Sequence, residues 1–78
     1  MKVLTFGITK DIIGSRSLEV PSNLALTVGE LRQYVISKYP KMEKLKSLAI
    51  AVNEEYATDD KRLIESDVVA LIPPVSGG

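Results

Sequence analysis

The spacing of apolar and polar positions changes along the chain and predicts an order of elements. Residues 2–9 alternate, with Val3, Thr5, Gly7 and Thr9 on one side and Lys2, Leu4, Phe6 and Ile8 on the other. The stretch is rich in strand-favouring residues and predicts a β-strand. Both sides carry apolar residues, which predicts a central place in a sheet or a second face used for contacts. Lys10 to Ser15 reads as a loop or single helical turn ending at Gly14. Arg16 to Val20 predicts a second short strand, ended by Pro21, which has no amide to donate to a ladder. The two strands would form a hairpin with a connection longer than a tight turn.

At Thr27 the period becomes helical. Thr27-Val28-Gly29-Glu30 is a capping box, in which the Thr27 hydroxyl accepts from the Glu30 amide and the Glu30 carboxylate reaches back to the amide of Thr27. Leu31, Tyr34 and Val35 follow at helical spacing, and Pro40 drives the residue before it out of the helical region. A helix from about Val28 to Lys38 is predicted, with one apolar face to lay on a sheet. Lys41 to Ser47 is polar, a short helical turn with Met42 and Leu45 reaching the core. Leu48 to Val52 is an apolar run of strand length, Asn53-Glu54 a tight turn, and Glu55 to Ala57 a short return strand. Thr58 to Glu65 is a charged connection anchored by Leu63 and Ile64. Val68 to Ile72 is the most strand-like segment, stopped by Pro73-Pro74.

A lone helix after an N-terminal hairpin must cover one face of a mixed sheet. The first and last strands are the best central neighbours, running parallel and joined through the helix by a right-handed crossover. The predicted class is α+β, a β-grasp or ubiquitin-like arrangement of about five strands and one main helix. Residues 1–74 would form this domain and residues 75–78 a flexible tail.

Composition narrows the chemistry. A chain of 78 residues is one domain, and at this size folding buries only about 60% of the unfolded surface, so the core is thin. Ten basic and ten acidic side chains cancel, which gives no electrostatic footprint for nucleic acid or a membrane surface. Cys and His are both absent. That removes disulfides, thiolate nucleophiles and zinc-thiolate sites, together with the commonest general base. No apolar run is long enough to span a membrane, and the N-terminus is too short and alternating for a signal peptide, so a cytoplasmic protein is expected. Asp59, Asp60 and Asp67 fit no calcium-loop spacing and read as a solvated loop. Lys44, Lys46, Lys61 and Arg62 read as solvated charges, some of them candidates for pairing with an acidic partner.

The segment with chemical content is Ile72-Pro73-Pro74-Val75-Ser76-Gly77-Gly78. The prolines favour an extended exit and offer no amide donors. Gly77 and Gly78 lack side chains, so such a backbone can enter a narrow channel and carry a carboxylate to another enzyme's nucleotide. A carboxylate is a poor electrophile until adenylation makes it a mixed anhydride. Attack by a persulfide or sulfide equivalent then gives a thiocarboxylate, a sulfur nucleophile, with no Cys or His needed on the carrier. A Gly-Gly ending alone reads better as a frayed end, and it is the combination with the small domain, the β-grasp order, the final apolar strand and Pro-Pro that points to a working tail.

Ala51-Val52-Asn53-Glu54, followed by Asp67-Val68-Val69-Ala70-Leu71-Ile72-Pro73-Pro74-Val75-Ser76-Gly77-Gly78, strongly resembles the small subunits of molybdopterin synthase, a family of ubiquitin-like sulfur carriers. Lys2-Val3-Leu4-Thr5-Phe6 and Thr27-Val28-Gly29-Glu30-Leu31 resemble it too. The resemblance implies that an E1-like enzyme adenylates Gly78 with ATP, that a sulfur donor protein supplies the sulfur, and that the carrier binds no cofactor stably. It implies insertion of the tail into the large synthase subunit, in a heterotetramer of two small and two large subunits. There the sulfur passes to cyclic pyranopterin monophosphate, and the catalytic side chains lie on the large subunit. Gly78 is then the reacting residue, and Phe6, Leu71, Pro73, Pro74, Val75, Ser76 and Gly77 are candidates for partner binding. Phe6, Leu71 and Val69 are equally readable as core. Two alternatives stand beside this one: a related carrier for thiamine or tRNA thiolation, and a ubiquitin-like protein modifier or plain interaction module.

Overall fold

A computed structural model describes residues 1–21, 23, 27–45 and 48–73. Its elements are β1 (Lys2–Thr5), α1 (Ile8–Ile13), β2 (Ser17–Glu19), α2 (Val28–Lys38), a 3₁₀ turn (Pro40–Lys44), β3 (Ala49–Val52), β4 (Glu55–Tyr56) and β5 (Val69–Ile72). The five strands form one mixed sheet in the order β2-β1-β5-β3-β4. β1 and β5 are parallel central neighbours, with Val3 beside Val69 and Thr5 beside Leu71, and the other pairings are antiparallel. The expected β-grasp arrangement is therefore present.

One face of the sheet carries the core. Val3, Leu18, Ile50, Val52, Val69 and Leu71 are buried together with Val28, Leu31 and Val35 of α2 and Met42 of the 3₁₀ turn. Complete burial of each such side chain contributes about 1.5–3 kcal/mol. α2 starts where the capping box predicts: the Thr27 hydroxyl accepts from the Glu30 amide at 3.2 Å and also lies 3.3 Å from Glu30 Oε1. Two free amides of its first turn are satisfied from a distant loop, Val28 by the Lys61 carbonyl and Gly29 by that of Asp59, both at 2.9 Å. A Cβ at Gly29 would come within 3.2 Å of Asp59, so a small residue is needed for this approach.

The first strand is shorter than its alternation predicts. It stops at Thr5, and the helical turn offered for Lys10 to Ser15 is present but begins earlier, so that Ile8 and Thr9 are helix rather than strand. The cause lies at Gly7, whose φ of 55° and ψ of −130° suit the first corner of a type II′ turn. The Thr9 amide closes that turn on the Phe6 carbonyl at 3.1 Å, and the buried Thr9 hydroxyl accepts from the Phe6 amide at 2.9 Å. Gly14 ends α1 in the left-handed conformation, as its position suggested. The remaining strands lie within about two residues of their predicted bounds.

Asn53 and Glu54 both have positive φ, 51° and 70°, and make the β3–β4 connection a two-residue type I′ turn. Asn53 ties this turn to β5: its Nδ2 donates to Asp67 Oδ1, and its Oδ1 accepts from the Val68 amide, both at 2.9 Å. Asp67 Oδ2 also accepts from the Ile64 amide at 2.9 Å. The Ile64 amide, then Asn53, hold the Asp67 carboxyl below its ordinary pKa of 3.8.

Two predictions follow from these turns. Glu54→Gly should raise stability by about 0.5 kcal/mol. Relief of a left-handed strain of about 1 kcal/mol outweighs the added freedom of glycine in the unfolded chain. A higher urea midpoint at unchanged slope would show it. A carboxyl with a depressed folded pKa stabilises above its unfolded pKa, and that stabilisation is lost as pH falls through the folded value. Asp67→Ala should therefore lower the melting temperature at pH 7, and the gap from the parent chain should narrow as pH falls below 3.8.

Candidate functional site

Strand alternation that buries one face necessarily presents the other. Because α2 covers only one side, Leu4, Phe6, Ala51, Tyr56, Val68, Ala70 and Ile72 point to the open side, where they line a shallow apolar groove with Glu54 at its rim. Ala70 sits between Leu4 of β1 and Ala51 of β3, so small side chains form the floor. The register sets Phe6 and Ile72 at the end where β5 leaves the sheet, and Val68 and the Asn53-Glu54 turn at the other. Phe6 is 48% exposed, Val68 53% and Tyr56 76%. A contiguous exposed apolar surface of this kind marks an interaction site. Most of the groove's lining is apolar, so what it offers a partner is apolar contact.

Beyond Ile72 the chain leaves the sheet past the Gly7 turn. Pro73 is half-buried, and its ring packs so near Gly7 that a Cβ there would lie 3.2 Å from Pro73 Cγ. One residue inside β5, the Leu71 carbonyl lies 3.4 Å from the Thr9 hydroxyl. Lys10 and Arg16 flank this end of the sheet beside Phe6 and Gly7.

The candidate residues separate cleanly. Phe6 lies on the open face, outside the buried core. Leu71 does not: it is fully buried, as is Val69, because the register of β5 turns both beneath α2. The outward residues of β5 are Ala70 and Ile72, which the sequence reading did not single out. Fixing which of Val3 or Leu4 faces the helix would have identified them. Tyr56, Leu4 and Ala51 were also missed, Tyr56 because so short a strand has little alternation to read. Pro73 marks the exit, while Pro74, Val75, Ser76, Gly77 and Gly78 lie outside the described residues.

The three aspartates act separately. Asp59 pairs with Arg32 at 3.2 Å, Asp60 accepts from the Thr58 hydroxyl, and Asp67 holds the turn of β3 and β4. Among the described residues no group of acidic side chains is placed to hold a metal ion, and no helix is long and apolar enough to cross a membrane.

Comparison with known proteins agrees with this architecture. The molybdopterin synthase sulfur carrier subunit of Caenorhabditis briggsae is 37% identical over 81 residues, covering 100% of this chain and 96% of that protein. A chain of the protein–protein complex of subunit 1 and 2 of molybdopterin-converting factor from Helicobacter pylori 26695 superposes with a TM-score of 0.67 at 31% identity, covering 99% of this chain and 96% of that one. SAMP1 from Haloferax volcanii superposes with a TM-score of 0.80 at 26% identity, covering 99% and 97%. The sequence profile of the ThiS family matches residues 3–78. This chain belongs to the ThiS family.

Proposed function

We propose that this chain is a sulfur carrier in molybdenum cofactor biosynthesis, the small subunit of a molybdopterin synthase, and that it works through the carboxyl of Gly78. The observation that carries the reading is an open apolar sheet face that runs to the point where β5 leaves the sheet. A partner seated on Phe6, Ile72 and Tyr56 would receive the residues after Pro73 directly. Full-length similarity to named sulfur carrier subunits supports the same assignment.

The chemistry runs in two steps on the carrier. A Gly78 carboxylate oxygen attacks the α-phosphorus of ATP in an E1-like enzyme, and pyrophosphate leaves. A sulfide equivalent from a donor protein then attacks the acyl carbon, AMP leaves, and the thiocarboxylate remains. In the large subunit the thiocarboxylate sulfur attacks a side-chain carbon of cyclic pyranopterin monophosphate, water cleaves the acyl–sulfur bond and returns the Gly78 carboxylate, and two such transfers supply the two sulfurs of the dithiolene. The carrier's residues bind and present, and the partners supply the nucleotide site and the side chains that move protons. A bare Gly77-Gly78 backbone fits a narrow channel because nothing projects from it.

A second reading has one observation in its favour, the likeness to SAMP1. A modifier would pass the same activated carboxyl to a lysine amine instead of gaining sulfur. The higher identity to the sulfur carrier subunits favours the first.

Adding one residue after Gly78 should abolish dithiolene formation from cyclic pyranopterin monophosphate in a mixture with the large subunit and the loading enzymes. Circular dichroism and the melting temperature should stay unchanged. Full activity of the extended chain, with its added residue still attached, would refute the proposal. Lysine conjugates in place of dithiolene would favour the second reading.

A further inference from the structure

We propose that Thr9 and Gly7 are positioning residues that aim the chain as it leaves β5, and through it the reacting carboxyl. The inference rests on the carrier reading above but concerns residues outside the tail and the open face. Leu71 pairs with Thr5, the last residue of β1, so beyond this rung β1 no longer runs beside β5. On the other side β3 pairs with β5 only as far as Ile72, through Ala49, so from Pro73 onward the direction of the chain depends on contacts outside the ladder.

Thr9 and Gly7 are placed to do so. Thr9 is fully buried, a polar side chain beneath the end of the sheet. Its hydroxyl accepts from the Phe6 amide at 2.9 Å and lies 2.6 Å from the Phe6 carbonyl and 3.4 Å from that of Leu71. Its single proton serves the nearer Phe6 carbonyl, and toward β5 the same oxygen keeps a 3.4 Å polar contact with the Leu71 carbonyl, so the turn that ends β1 is packed against the last buried residue of β5. Two residues further on, the Pro73 ring rests against Gly7, where any side chain would press on it. The Gly7 backbone, with φ of 55° and ψ of −130°, is itself accessible only to glycine without strain. Phe6, at the end of the docking groove, belongs to the same turn. Docking surface and exit direction are therefore built on one short segment, 6–9, so a partner that grips Phe6 also fixes where the arm enters.

Thr9→Val keeps the shape of the side chain and removes the hydroxyl. The readout is steady-state pyrophosphate release by the adenylating enzyme with the carrier as substrate. KM should stay within about twofold because the groove is intact. kcat should fall by about tenfold, within the loss of up to about 100-fold that a misplacement of about 1 Å can cause. Thr9→Ser, which restores the hydroxyl, should recover most of kcat. If Thr9→Val melts below the assay temperature, Pro73→Ala carries the test, since it removes the ring that rests on Gly7 and leaves the buried hydrogen bonds in place. The same loss in kcat alone is expected. Parent-like kcat in the folded Thr9→Val chain, or in Pro73→Ala when that variant carries the test, overturns the proposal. So does a loss in Thr9→Val that Ser does not rescue. These outcomes leave the carrier reading standing, whereas a parent chain that is never adenylated brings down both.

Discussion

The parallel pairing of β1 with β5 is the constraint on which the rest of the structure depends. It brings the two ends of the described chain together at the centre of the sheet, and the connection between them must pass through α2 on one face. Val3, Val69 and Leu71 then have no exposed surface, and Leu4, Ala70 and Ile72 are turned outward. The same register that makes the core therefore makes the apolar groove. It also decides that β5 ends beside the turn after β1, so a central, well-anchored strand delivers the chain to the edge of an open apolar surface.

This arrangement suits a small domain with little chemistry of its own. A 78-residue chain has a thin core and no Cys or His. Its polar side chains are used to hold turns and helix ends: Thr27 caps α2, Asn53 and Asp67 lock the β3–β4 turn against β5, and Thr9 sits under the turn after β1. The apolar face of the sheet is left open beside them. In the proposed scheme the division is complete, with contact and presentation on the carrier and bond-making on its partners.

Much of the fold was legible in the sequence because its signals are local. The capping box at Thr27, the stop at Pro40, the apolar runs at residues 48–52 and 68–72 and the Pro-Pro break all act within a few residues of themselves. Residues 6–9 misled for a physical reason. Gly7, Ile8 and Thr9 continue the alternation of β1, and only the positive φ of Gly7 turns the backbone out of the strand. The burial of Leu71 was illegible for another reason. An apolar strand carries no mark of which face meets the helix, and a shift of one residue would exchange the two faces. The chemistry expected of residues 74–78 rests on residue type and resemblance, since they lie outside the described residues.

The central claim is that the reacting group is the main-chain carboxyl of Gly78 and not a side chain. It is tested most directly by intact-mass measurement after incubation with the adenylating enzyme, ATP and a sulfur donor, followed by fragmentation of the product. The account predicts replacement of one oxygen by one sulfur, found only in fragments that contain Gly78. An unchanged mass under conditions where ATP is consumed, or sulfur located on any fragment lacking Gly78, would contradict it.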